Sequence, residues 1–211
     1  MSLIVQQLDQ ADVMLTNALN EPTIRQRLAA VGYSEAKIQL GISTVANARA
    51  QAKSHQVSYT SKKLASRQVQ TELVSLRQLL VEHRAVARMA FRHQPEMHVT
   101  LQLDTKISRK QSVWLDQAAD FYESLLTQAK VMQRYDVTKD ELEQARGQLQ
   151  SIKNLRLNNL QKKGKAQHAT QQRDVALKEL SQWLSRFKAA ARLALADEPQ
   201  LLEVLGIVVT A

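Results

Sequence analysis

The chain has 211 residues, 44% of them hydrophobic, a formal net charge of +9 and no cysteine. That length supports one large core or two small ones, and the missing thiols exclude disulfides, thiolate zinc sites, iron–sulfur clusters and cysteine nucleophiles. Three prolines and five glycines, against abundant Ala, Leu, Gln, Lys, Arg and Glu, predict an all-α protein.

The opening residues Met1-Ser2-Leu3-Ile4-Val5-Gln6 carry neither the basic segment nor the apolar run of a signal peptide. No window approaches the ~18 uninterrupted apolar residues of a membrane span. A cytoplasmic location is therefore expected. A first helix is predicted from Leu3 to Leu19, after which Asn20 caps a short segment with Pro22 in its first turn. Gly32 stops that segment where a left-handed C-cap is preferred, and Ser34 opens the next helix.

Residues 34–94 then run without an internal proline. Ile38, Ile42 and Val45 keep helical spacing, as do Val69, Leu73, Leu76, Leu80, His83, Ala87 and Ala90, but the middle is polar. One helix of this length would reach ~90 Å at 1.5 Å per residue, and a polar middle offers partners little to pack against. A helical hairpin turning near Ser58-Tyr59-Thr60-Ser61 is the favoured reading over a single helix. A short helix starting at Pro95 follows, then the polar link Asp104–Gln111.

The second half repeats the first. Leu8-Asp9-Gln10-Ala11 returns as Leu115-Asp116-Gln117-Ala118, 107 residues on. Arg88-Met89-Ala90-Phe91 returns as Arg192-Leu193-Ala194-Leu195, and Pro95 as Pro199, 104 residues on. The second copy thus lacks three residues between its first two helices. Trp114 is expected to anchor its first helix, and Thr138 with Glu141 forms a capping box. Leu142, Leu149 and Ile152, then Leu177, Leu180, Leu184, Phe187, Ala191 and Ala194, repeat the apolar stripe, with Trp183 on it as a core residue and a turn expected at Gly164. Asp197 caps the closing helix, and the apolar run 204–209 docks onto the bundle. The expected fold is all-α: two tandem related repeats, residues 1–104 and 105–211, in an up-and-down bundle with long helical hairpins, packed as one bundle or two side by side.

The chain resembles a group of uncharacterised bacterial proteins built from two related helical halves. Trp114-Leu115-Asp116-Gln117-Ala118, Phe121-Tyr122 and Leu125-Leu126 carry the resemblance, with Gly32-Tyr33-Ser34 and Gln171-Gln172-Arg173-Asp174 leading to Leu180 and Trp183. The clearest piece is Ala191–Leu195 followed by Pro199–Ile207. These are helix-packing positions, so the resemblance implies a fold and no activity. Such relatives mix many glutamates into the long-helix middles, and this chain does not.

The charge is uneven. From Ala36 to Thr71 there is no acid but Lys37, Arg49, Lys53, Lys62, Lys63 and Arg67; from Gln144 to Arg173 there is again none, but Arg146, Lys153, Arg156, Lys162, Lys163, Lys165 and Arg173. These windows carry +13 of the net +9, which leaves −4 for the rest. Each is expected at a hairpin tip, as a positive pole that concentrates anions. The candidate anion-binding residues are Lys53, Lys62, Lys63, Arg67, Lys162, Lys163, Lys165 and Arg173, and the alternative for the same residues is a solvated face that keeps the protein soluble. Only Tyr59 supplies an aromatic, which disfavours base stacking and leaves phosphate-backbone contact.

Catalytic chemistry is not indicated. No Glu is followed three residues later by His, as a di-iron bundle requires. No glycine-rich phosphate loop, nucleophile elbow or zincin motif occurs. His83 reads as a hydrogen-bonded core histidine and His168 as solvated. No catalytic residue, metal or cofactor is assigned. The function expected is a non-enzymatic interaction or scaffolding protein, able to self-associate. The alternative is a binder of polyanions, with an acidic protein or nucleic acid at the basic tips.

Overall fold

The computed structural model describes residues 3–208. Among them every regular element is helical: α1 (Leu3–Asn20), α2 (Pro22–Ala30), α3 (Glu35–Ala90), α4 (Pro95–Thr100), α5 (Gln111–Leu126), α6 (Ala129–Met132), a 3-10 turn (Gln133–Tyr135), α7 (Lys139–Ala194) and α8 (Gln200–Val204). No described helix is long and apolar enough to cross a membrane.

The termini follow local chemistry. Pro22 opens α2, where its missing N–H costs nothing, and Gly32 closes the segment at φ +83°. The residue in the N-cap position of α2 is Glu21, without a side-chain bond, while Asn20 still belongs to α1. Ser34 Oγ accepts the Lys37 N–H at the start of α3. At the start of α7 the capping box forms as predicted: the Thr138 N–H donates to Glu141 Oε2 (2.7 Å), and the Glu141 N–H to Thr138 Oγ1 (3.2 Å). α8 instead has Pro199 in its N-cap position, so Asp197 does not cap it.

The main correction concerns the long segments. α3 and α7 are single helices of 56 residues each, with no turn at 58–61 or at 164. Residues 58–61 hold neither Gly nor Pro. A lone Gly164 costs about 1 kcal/mol relative to Ala in a helix, less than opening two new helix ends with their unpaired N–H and C=O groups. On α3 nothing between Ala48 and Ala65 is buried, and on α7 nothing between Ile152 and Ala166.

The chain forms two compact units, which cut across the sequence halves 1–104 and 105–211. The first takes residues 1–60 and 164–211, the second residues 61–163. In the first unit, Leu8, Leu15 and Ala18 of α1, Ile24 and Leu28 of α2, Ile38 and Val45 of α3, and Leu180 and Phe187 of α7 build the core. Leu205 and Ile207 close it; of the run 204–209, Val209 lies outside the described residues. In the second, Leu73, Leu76 and Leu80 of α3 meet Trp114, Leu115, Phe121 and Tyr122 of α5 and Leu142, Leu149 and Ile152 of α7, with Leu101 and Leu103 closing it. Trp114 is 4% exposed, as an anchor should be.

Trp183, expected in the core, is only half-buried against its edge, stacked on Phe187 (5.3 Å between centroids) and edge-on to Tyr33 (5.9 Å). Gly41 lies against its ring. His83 is buried with its Nδ1 3.2 Å from the Tyr122 hydroxyl, the paired core histidine expected of its place on the stripe. His168 is exposed.

Candidate anion-binding surface

The basic windows lie in helix middles, not at hairpin tips, because the helices do not turn there. Each window is divided between the two units. In the second unit, residues 61–71 of α3 run antiparallel to residues 144–163 of α7. Lys162 Nζ donates to Ser61 Oγ (2.7 Å), Ser66 Oγ donates to Asn159 Oδ1 (3.0 Å), and Gln148 Nε2 donates to Glu72 Oε2 (2.8 Å). Polar groups hold this part of the pair where apolar ones are missing.

The two segments carry eight Lys and Arg and no acid. Lys63, Arg67 and Lys163 are exposed, while Lys62 and Lys162 are half-buried. Lys153 and Arg156 stand exposed on the same stretch of α7; they belong to the acid-free window but were not among the candidate residues. With Lys163 they line a groove of about 540 Å³ whose other walls include Val69, Leu157 and Leu160. Leu157 is 62% exposed and Leu160 66% exposed. Their spacing of three within a run of bases is the signal the sequence offered for this groove.

In the first unit the remaining candidates do not form such a surface. Arg173 donates to Asp174 Oδ1 through Nε (2.9 Å) and Nη2 (2.7 Å), and its Nη1 lies 3.2 Å from the His55 ring nitrogens. Its charge is met. Arg49 of the same window is held by Asp9 (2.9 Å) and Asp12 (3.2 Å). Lys53 and Lys165 are exposed but without the dense basic neighbourhood of residues 61–67 and 153–163. The eight candidates thus split: Lys62, Lys63, Arg67, Lys162 and Lys163 fall in the second unit, and Lys53, Lys165 and Arg173 in the first.

Reading by helix periodicity missed one polar cluster. Arg84, 2% exposed, sits on the buried face of α3, and its Nη2 donates to the carbonyls of Gln102 (2.6 Å), Leu103 (3.1 Å) and Thr105 (2.6 Å). Arg88 adds two bonds to Leu103 O. These guanidinium groups satisfy main-chain carbonyls of the turn and link that follow α4. Burial lowers the Arg84 pKa from its ordinary value, and the neighbouring Arg88 charge lowers it further. Among the described residues no group of three or more His, Asp and Glu is placed to hold a metal ion. Compared with known proteins, the chain matches no family model, no curated protein and no solved structure.

Proposed function

We propose that this chain is a non-enzymatic interaction protein, assembled from two related helical repeats, that holds a polyanion along the basic helix pair of its second unit. The repeat reading is supported by coincidences of position. α3 and α7 begin and end 104 residues apart, at 35 and 139 and at 90 and 194. Among the described residues, the four with positive φ pair at the same interval, Gly32 with Asp136 and Gln102 with Gly206. Buried Leu8, Ala11, Met14, Leu15 and Ala18 of α1 correspond, 107 residues on, to buried Leu115, Ala118, Phe121, Tyr122 and Leu125 of α5.

The observation that carries the polyanion reading is the pairing of residues 61–71 with 144–163, eight bases on neighbouring helix segments with no acid among them. No aromatic residue lies in either segment, so phosphates rather than stacked bases are the groups that would be held. Nucleic acid is the first partner to test. Retention on heparin and on duplex DNA should weaken with salt, log K falling by about 0.9 per log unit of salt for each phosphate neutralised. Reversing exposed Lys63, Arg67, Lys153, Arg156 and Lys163 to Glu should abolish it. Retention indifferent to salt or to these reversals would overturn the reading.

Exposed Leu157 and Leu160 favour a second reading, in which an acidic protein partner fills the groove. In that case Leu157→Glu with Leu160→Glu would abolish binding of an acidic protein while leaving the salt slope for heparin in place.

A further inference from the structure

Two exposed leucines, Leu157 and Leu160, stand in the middle of the basic stretch of α7. The residues 104 positions earlier, Lys53 and Gln56, are exposed too, but polar. Across the groove that the leucines line, the difference runs the same way. Val69, Asn159 and Lys163 are part of its wall, and the residues 104 positions away are Arg173, His55 and Tyr59. Those three form one stack in the first unit. Arg173 Nη1 lies 3.2 Å from the His55 ring nitrogens, and Tyr59 stacks on His55 with 6.0 Å between centroids. In the second unit an aliphatic, an amide and a lysine take their places and line a groove of about 540 Å³.

The groove joins three bases, Lys153, Arg156 and Lys163, to three aliphatic side chains, Val69, Leu157 and Leu160. Among the described residues no carboxylate pairs with these bases. From Lys153 to Lys163 the lining runs along one side of α7 for ~15 Å at 1.5 Å per residue, about three helical turns. A phosphate backbone would meet the bases but bring nothing apolar to the leucines. A bilayer is gripped by a broad apolar face rich in Trp, Phe and Leu, whereas here two leucines stand among bases with no aromatic residue in the stretch. A protein segment supplies carboxylates and apolar side chains together. Along residues 153–163 α7 is unbroken helix, so its N–H and C=O groups are already paired and offer an extended peptide no row of backbone partners. A helix satisfies its own main chain and docks by side chains alone.

We propose that this groove of the second unit docks an acidic amphipathic helix of a protein partner, about three turns long and lying along α7. Apolar side chains of the partner, spaced three and four apart, pack on Val69, Leu157 and Leu160. Asp and Glu beside them meet Lys153, Arg156 and Lys163. Charge complementarity selects the sign of the partner, and the leucines select among acidic chains those with an apolar face. The inference rests on the reading of the basic helix pair as an interaction surface and gives the acidic protein partner its form.

The test uses a designed, fluorescently labelled peptide of about 18 residues, long enough to form helix alone, with Leu three and four apart on one face and Glu flanking them. A second peptide has the same composition in an order that makes no apolar face. Titrated with the full chain and read by fluorescence anisotropy, the first should saturate, and the second should bind at least about tenfold more weakly. Leu157→Gln with Leu160→Gln changes exposed positions and no charge. It should weaken the first peptide at least about tenfold and leave heparin retention and its salt slope unchanged. Lys153→Glu with Arg156→Glu and Lys163→Glu should lose the peptide and weaken heparin retention. Circular dichroism should show both variants as helical as the parent. No saturable binding, equal binding of the two peptides, or binding indifferent to the Gln substitutions would overturn the proposal. So would loss of duplex DNA or of phosphatidylglycerol vesicles in the Gln variant, since the leucines would then serve a nucleic-acid or lipid contact. Salt-dependent heparin retention without leucine-dependent peptide binding removes this inference and leaves the basic surface standing. Absence of both removes both.

Discussion

Gly41 of α3 and Trp183 of α7 share one volume: a Cβ placed on Gly41 would come within 3.0 Å of three atoms of the indole. The residues 104 positions away, Ala145 and Leu79, are a larger residue on α7 and a smaller one on α3.

Gly41→Ala should therefore destabilise the protein, although Ala is the better helix former by about 1 kcal/mol. Overpacking typically costs about 1–3 kcal/mol, so the steric term should win. Trp183→Leu in the same chain should recover most of the loss. Chemical denaturation of both single variants and the double variant would show this as a coupling of about 1 kcal/mol or more.

His83 gives the fold a dependence on acidity. Burial holds its imidazole below the ordinary value, and the charges of Glu141 and Glu82 offset only part of that effect. Tyr122 is pushed well above its ordinary range, chiefly by burial, so it keeps its proton, with its hydroxyl 3.2 Å from His83 Nδ1. Below the ordinary histidine value of about 6.5 the unfolded chain binds a proton that the folded one resists, so stability falls as pH falls through that window. Above it the His83 contribution is constant. The urea midpoint should drop between pH 7 and 5, and His83→Phe, which replaces the titrating ring with an apolar one, should flatten that part of the curve.

The capping box at the start of α7 acts at lower pH. Hydrogen bonds from the Thr138 N–H and hydroxyl to Glu141 lower the carboxyl below its ordinary value. Its stabilisation is present above that ordinary value and is lost as pH falls through the lowered one. Thr138→Ala should cost about 1 kcal/mol near neutral pH, as loss of an N-cap does. Hydrogen exchange should show the added opening confined to the first turn of α7.

Continuity of α3 can be tested at exposed Thr60. Thr60→Pro removes a backbone donor and clashes with the preceding turn, costing about 3 kcal/mol or more inside a helix. A turn would tolerate it. Thermal unfolding should show a large loss, and an unchanged midpoint would restore the hairpin.

Apolar spacing made the helical stripes legible; Pro22, Gly32, Ser34 and the Thr138–Glu141 box marked helix ends, whereas Asn20 and Asp197 did not. The unbroken helices were not legible, because what supports the polar middle of α3 is another polar stretch about a hundred residues away. Ser66 with Asn159, or Lys162 with Ser61, leaves no mark on local periodicity. The acid-free windows were visible one at a time, and their meeting was not. Arg84 was hidden for a different reason: its place on the apolar face predicts burial, and its partners are main-chain carbonyls that no side-chain pattern reports.

The division into units has a consequence for how the chain is made. Residues 61–163 are contiguous, so the second unit has all its parts once α7 is half synthesised. The first unit is discontinuous: α1 and α2 leave the ribosome before the second unit, yet the stretch of α7 that covers them, with Leu180, Phe187 and Ala191, comes after it. Their apolar faces must wait, at a cost in loop closure and in time exposed. A chain assembled this way folds its middle before its first helices, and it is the first helices that a chaperone would need to guard.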